Sequence, residues 1–170
     1  MKNLFRILLA AVVALFSVSC IYDDDTEFEL KVGDRIPDFT VTMNDGTVVT
    51  GESLRKGVSV IMFFHTSCPD CQNTLPSVQR AYDEYLGKGV SFALISRSQL
   101  GNEIQVHWDE KGYTMPYSGQ KDRTVYNKFA TTRVPRVYIC KDGKIMSFYT
   151  DDPIVTYEEL KADIESCAIQ

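Results

Sequence analysis

The sequence predicts an α/β domain: a central mixed β-sheet with helices on both faces, plus an N-terminal β-hairpin. Three observations predict it. Two apolar runs, Val58–Phe64 (VSVIMFF) and Val90–Ser96, lack polar alternation, the pattern of strands buried on both faces. Apolar residues at helical spacing follow each run. The chain then closes with a second hairpin and a capped helix. Strand–helix–strand units followed by a hairpin and a helix fold into one mixed sheet.

The N-terminus stands apart from this pattern. Lys2 and Arg6 form a basic start, and residues 7–18 are an apolar run of twelve, too short to span a bilayer. The run ends in Ser17-Val18-Ser19-Cys20, which resembles a lipobox, the site where bacterial signal peptides are cut and the new N-terminal cysteine is lipidated. Residues 1–19 are therefore expected to be a lipoprotein signal peptide and Cys20 its lipidated residue, with a plain secretory signal as the alternative. Ser17 departs from the pattern, where an apolar residue is more usual. Asp23-Asp24-Asp25 follows, and clustered like charge resists folding, so 20–32 reads as an acidic linker. Such acidic runs also resemble surface-export signals of some Gram-negative lipoproteins. The expected location is the cell envelope, lipid-anchored and facing the periplasm or the cell surface.

Residues 33–170 read as one domain. Segments 39–43 and 47–50 flank Asn44-Asp45-Gly46, a hairpin turn. After the strand Val58–Phe64, a helix is expected from Pro69, because proline is tolerated in a first turn. Its apolar positions are Cys71, Leu75, Val78, Tyr82 and Tyr85, and Gly87 closes it. Val90–Ser96 is the next strand, and Gly101–Lys111 reads as a helix with Ile104 and Trp108 four apart. Residues 113–118 read as a short strand and 122–129 as a short helix. Segments 136–140 and 144–149 form a hairpin around Lys141-Asp142-Gly143. Thr156 and Glu159 make a capping box opening a last helix with Leu160, Ile164 and Cys167 inward.

An apolar fraction of 44% and a charged fraction of 24% are those of an ordinary globular protein. A net charge of −5 argues against nucleic acid as a partner, and losing Lys2 and Arg6 with the signal makes the chain more acidic still.

The chemistry concentrates in Cys68-Pro69-Asp70-Cys71, where a buried strand gives way to a helix. At a helix N-terminus, unpaired N–H groups and the helix dipole favour a thiolate, and the thiolate is the attacking form in disulfide exchange. Cys68 is therefore the expected exposed nucleophile. Cys71, on the apolar stripe, is the shielded partner that resolves the mixed disulfide. A zinc site needs about four ligands, and no second Cys/His pair stands at ligand spacing, so no metal is expected. A structural staple across two residues would stabilise almost nothing, because disulfide stabilisation grows with loop length. Cys140 and Cys167 each fall on an inward face, as packing residues or as a second disulfide.

Residues 60–76 (VIMFFHTSCPDCQNTLP) resemble the active-site strand and helix of thioredoxin-like proteins, especially the exported TlpA/ResA-like branch of the thioredoxin/AhpC-TSA superfamily. Val32-Gly33-Asp34, with Pro37-Asp38-Phe39, looks like the opening of that branch and of peroxiredoxins. Pro76 matches the proline that kinks the family's active-site helix, and Val134-Pro135 matches its cis-proline loop. The resemblance covers about residues 32–168 and implies a thioredoxin-like fold. It implies that Pro135 is cis, that its loop packs on the cysteines, and that Val134 offers its backbone to an extended substrate. Three residues depart from the family: Met62 replaces a buried aspartate, Thr74 replaces a glutamate, and Ser67 replaces a tryptophan. Proton handling around Cys71 is thereby left without an assigned residue. His65 and Asp70 lie close enough in sequence to perturb a thiol in either direction.

The expected activity is thiol–disulfide exchange, of the protein-disulfide reductase or isomerase type, on exported client proteins. No cofactor is expected, and an export signal without further spans implies that electrons come from a partner, a membrane-embedded donor. Two alternatives stand beside this. One is a peroxiredoxin-like thiol peroxidase, disfavoured because His65 stands where that family has threonine. The other is a non-catalytic surface binding module on the same scaffold.

Overall fold

The computed structural model describes residues 27–169. The signal segment, Cys20 and the three consecutive aspartates lie outside the described residues. Strands β1 (Thr40–Thr42) and β2 (Val48–Thr50) pair antiparallel as a separate two-stranded sheet. The remaining elements are β3 (Val58–Phe64), α1 (Pro69–Tyr85), β4 (Val90–Ser96), α2 (Gly101–Lys111), β5 (Tyr117–Ser118), β6 (Arg136–Lys141), β7 (Lys144–Tyr149) and α3 (Tyr157–Ile169). The main sheet runs β5-β4-β3-β6-β7, with β3–β4 and β4–β5 parallel and β3–β6 and β6–β7 antiparallel. This is the expected mixed sheet with three helices and an N-terminal hairpin.

Every residue of β3 is buried, as its unbroken apolar run predicts. It lies at the centre of the sheet, with β4 on one side and β6 on the other. That central position fixes where its C-terminal end, and hence the cysteine pair, emerges. Asp142 and Gly143 turn between β6 and β7 with φ of 48° and 83°. A Cβ on Gly143 would meet the Arg55 side chain at 2.8 Å, so this turn needs glycine twice over. The capping box forms as expected: Glu159 N–H donates to Thr156 Oγ1 at 3.2 Å, and Thr156 N–H donates to Glu159 Oε2 at 2.8 Å.

Three segments differ from the expectation. The strand expected over 113–118 shrinks to Tyr117–Ser118, because the backbone N–H groups of Thr114 and Met115 donate to the Gln79 side chain on α1 instead of to a ladder. The helix expected over 122–129 reduces to a 3-10 turn at Tyr126–Lys128. There the Asp122 carboxylate captures the Thr124 N–H at 2.9 Å, a local competitor to helix formation. The third lies in the stretch expected to be linker. From Phe28 onward it is docked: Leu30 N–H donates to Phe129 O, Thr131 N–H donates to Phe28 O, and Glu29 bridges Ala130. Gly33 N–H then donates to Ile145 O, tying this arm to β7.

Candidate active site

The site begins where β3 runs out of core. After Phe64 the chain turns through His65-Thr66-Ser67, and the turn is held from two sides. Thr66 N–H donates to Gln99 Oε1 at 2.9 Å, and Gln72 Nε2 donates to Thr66 O at 2.6 Å. Gln99, beyond the end of β4, is 6% exposed, so its amide is committed to this turn.

Cys68 is the N-cap of α1, with extended backbone (φ −83°, ψ 119°) and Pro69 following in the first turn. Its Sγ accepts from Cys71 N–H at 3.4 Å, the contact an N-cap side chain makes with a helix's unpaired first-turn donors. The same sulfur donates to Val134 O at 3.4 Å. Cys68 is half-buried and Cys71 fully buried, and both are free thiols. Burial pushes the Cys71 thiol well above its ordinary range; the His65 backbone and Arg97 pull the other way, and Cys68 adds to the rise.

Val134, whose carbonyl meets Cys68, is joined to Pro135 by a cis peptide bond. Pro76 is contained within α1. Met62 is fully buried beneath the site, and Thr74 is buried with its hydroxyl donating to Asp70 O at 2.8 Å. Neither carries an acid toward Cys71. His65 Nδ1 lies 2.9 Å from Ser67 Oγ, and its imidazole pKa is lowered by burial and then by Arg97. Cys140 and Cys167 are buried free thiols, and burial raises Cys140 to about 12. Among the described residues no three His, Cys, Asp or Glu side chains are grouped as a metal site requires.

Arg97 and the cluster around Arg136 were not anticipated from sequence. Arg97 follows β4, its N–H donating to Phe64 O, so it stands beside His65 with its Nε buried and without a hydrogen-bond partner. Arg136 opens β6 directly after Pro135 and is 3% exposed. It is ion-paired with Glu29 of the docked arm and donates to Thr132 Oγ1 at 2.6 Å and to Tyr126 Oη at 3.3 Å. Tyr126 in turn donates to Arg133 O at 2.6 Å. A cationic residue at the start of an apolar strand was the available signal, since a buried arginine demands partners.

Residues 32–148 match the AhpC/TSA family. The thiol-disulfide oxidoreductase ResA of Oceanobacillus iheyensis is 29% identical over 150 residues, covering 85% of this chain and 76% of that protein. A thiol:disulfide interchange protein of the thioredoxin family from Chlorobium tepidum superposes with a TM-score of 0.68 at 15% identity, over 83% of this chain and 99% of its own. Peroxidoxin BcpB from Mycobacterium tuberculosis superposes with a TM-score of 0.64 at 15% identity, over 83% of this chain and 98% of its own. At these identities the structural likenesses speak to the fold, which is shared by proteins of both names.

Proposed function

This chain belongs to the AhpC/TSA family, and we propose that it is a thiol–disulfide oxidoreductase in which Cys68 attacks and Cys71 resolves. The observation that carries the assignment of roles is the pairing of a half-buried N-cap sulfur with a fully buried thiol one helical turn on. An accessible sulfur facing helix N–H groups is the one that a client disulfide can reach. A buried thiol acts only once a mixed disulfide has formed beside it.

The exchange balances in two steps. The Cys68 thiolate attacks one sulfur of a client disulfide, forming a mixed disulfide and releasing the other client sulfur as a thiolate that takes up a proton. Cys71, losing its proton, then attacks Cys68 Sγ, which frees the second client thiol and leaves a Cys68–Cys71 disulfide. The client gains two electrons and the enzyme loses two, so a reductant must restore the dithiol. The reverse sequence oxidises a client dithiol. Val134 offers backbone groups to an extended client, and Pro135, which has no N–H, adds no competing donor beside them.

Cys20 is the lipid attachment site in this reading, with residues 1–19 removed and the domain held in the cell envelope. Its clients are exported proteins, and its electrons come from a membrane-embedded donor. The Ser17-Val18-Ser19-Cys20 sequence supports that placement, and loss of membrane association in Cys20→Ser tests it.

Reduction of insulin by Cys68→Ser tests the central assignment. Activity is expected to vanish, because serine cannot form the mixed disulfide. Retained activity overturns the role given to Cys68. Cys71→Ala is expected to accumulate a client joined to Cys68, detectable on a non-reducing gel.

A further inference from the structure

We propose that Tyr126 is a positioning residue for client binding: its hydroxyl, held by Arg136, fixes the Arg133–Val134 peptide unit so that Val134 faces an extended client segment. The proposal rests on the reading of Cys68 and Val134 given above. It concerns what aims the loop, since a carbonyl and an amide can serve a client only in the right orientation.

The Tyr126 ring is fully buried and packs edge-on against Phe63, with centroids 5.3 Å apart. Its O–H donates to Arg133 O at 2.6 Å and accepts from Arg136 Nε at 3.3 Å. Arg136 also holds Thr132 Oγ1, and its charge is balanced by Glu29. Thr132 and the Arg133 carbonyl are thus tied through Tyr126 and Arg136 into one partly buried network. Burial raises Tyr126 to about 12, which keeps its phenol protonated and donating throughout the neutral range.

The consequence follows from peptide geometry. The cis bonds among the described residues are Val134–Pro135 and Asp152–Pro153, so the Arg133–Val134 bond is trans. In a planar trans unit the C=O and N–H point in opposite directions. With Arg133 O turned inward onto the buried phenol, Val134 N–H is turned away from it. Val134 O, in the next unit, lies 3.4 Å from Cys68 Sγ. One residue beside the reactive sulfur therefore carries both groups that an added β-strand pairs with: an N–H turned from the phenol, and a C=O that is freed when Cys68 Sγ loses its proton to form the mixed disulfide. The occupant this fits is an extended polypeptide segment carrying the target cysteine. A small disulfide has no backbone to pair and gains nothing from the arrangement.

The test compares two substrates in Tyr126→Phe, which removes one hydroxyl and keeps the ring. For insulin, kcat/KM is expected to fall about tenfold, mainly through KM, as for loss of one well-aimed binding interaction. For 2-hydroxyethyl disulfide the fall is expected to be several-fold smaller. Equal falls for the two substrates, or no fall for insulin, overturn the proposal. A wild-type protein that reduces neither substrate instead overturns the oxidoreductase reading itself. A second measurement does not depend on Tyr126→Phe folding. In the mixed disulfide between Cys71→Ala and an extended single-cysteine peptide, Val134 N–H is expected to exchange with solvent at least tenfold more slowly than in the free protein. An unprotected Val134 amide in that complex also overturns the proposal.

Discussion

At the scale of single residues, the site is defined by contrasts in burial. Cys68 and Cys71 were legible from spacing, because an N-cap position and an apolar-stripe position in one helix impose different exposure. Met62 and Thr74 were legible as departures, and the structure gives neither any charge to offer Cys71. Arg97 was not legible. A basic residue after an apolar strand reads as a solvated end, and only the strand register places it beside His65. Burial also makes a prediction at Cys140, whose thiol is raised from 9.0 to about 12. A folded-state pKa above the unfolded value gives stability that is fully present below pH 9 and is lost as pH rises toward 12. The loss from this one group is expected to approach about 1 kcal/mol per pH unit in that window. Urea midpoints measured at pH 8 and pH 10.5 should therefore converge in Cys140→Ala relative to the parent. A parent whose midpoint does not move over that window would show that Cys140 is free to ionise in the folded protein.

At the scale of elements, periodicity succeeded where local chemistry and burial agreed. The bounds of β3, β4 and α2 follow their apolar patterns, and α3 begins at its capping box. The two shortened elements share one cause, a side chain that takes backbone donors away from the expected element. Gln79 does so for 114 and 115, and Asp122 does so for 124. The capping box at α3 shows the same competition working for a helix. Thr156 Oγ1 satisfies one first-turn donor, and Glu159 reaches back to Thr156 N–H. Thr156→Ala is expected to lower stability by about 1 kcal/mol, the usual cost of losing an N-cap oxygen. Urea denaturation reads this directly, and Thr156→Ser should recover most of the loss because it keeps the acceptor. The helix also joins α1 through Tyr85 Oη to Glu165 and through Arg80 stacked over the Tyr157 ring at 3.6 Å. Loosening its start should therefore leave the cysteine-bearing helix less well supported.

At the scale of the whole molecule, the N-terminal arm connects two regions that the sequence presents as unrelated. Composition assigns Glu29 to an acidic tether, and position assigns Arg136 to a strand, so nothing local suggests that they meet. The fold brings them together next to the Val134–Pro135 loop, with Glu29 19% exposed and Arg136 4% exposed at their side chains. Glu29→Gln removes the balancing charge and leaves a buried guanidinium without its counterion. Breaking such a pair from one side costs about 3 kcal/mol, with the partial exposure of Glu29 placing the cost at the lower end of the range for buried pairs. Replacing both residues together, Glu29→Gln with Arg136→Met, removes the stranded charge and is expected to recover part of that stability. It also removes the donor to Tyr126, so the double variant should remain slower on insulin than the parent even where its melting temperature is restored. Stability and client reduction would then part company in one protein. If they instead rise and fall together across the two variants, the arm serves only to hold the fold, and its link to the active-site loop carries no functional weight.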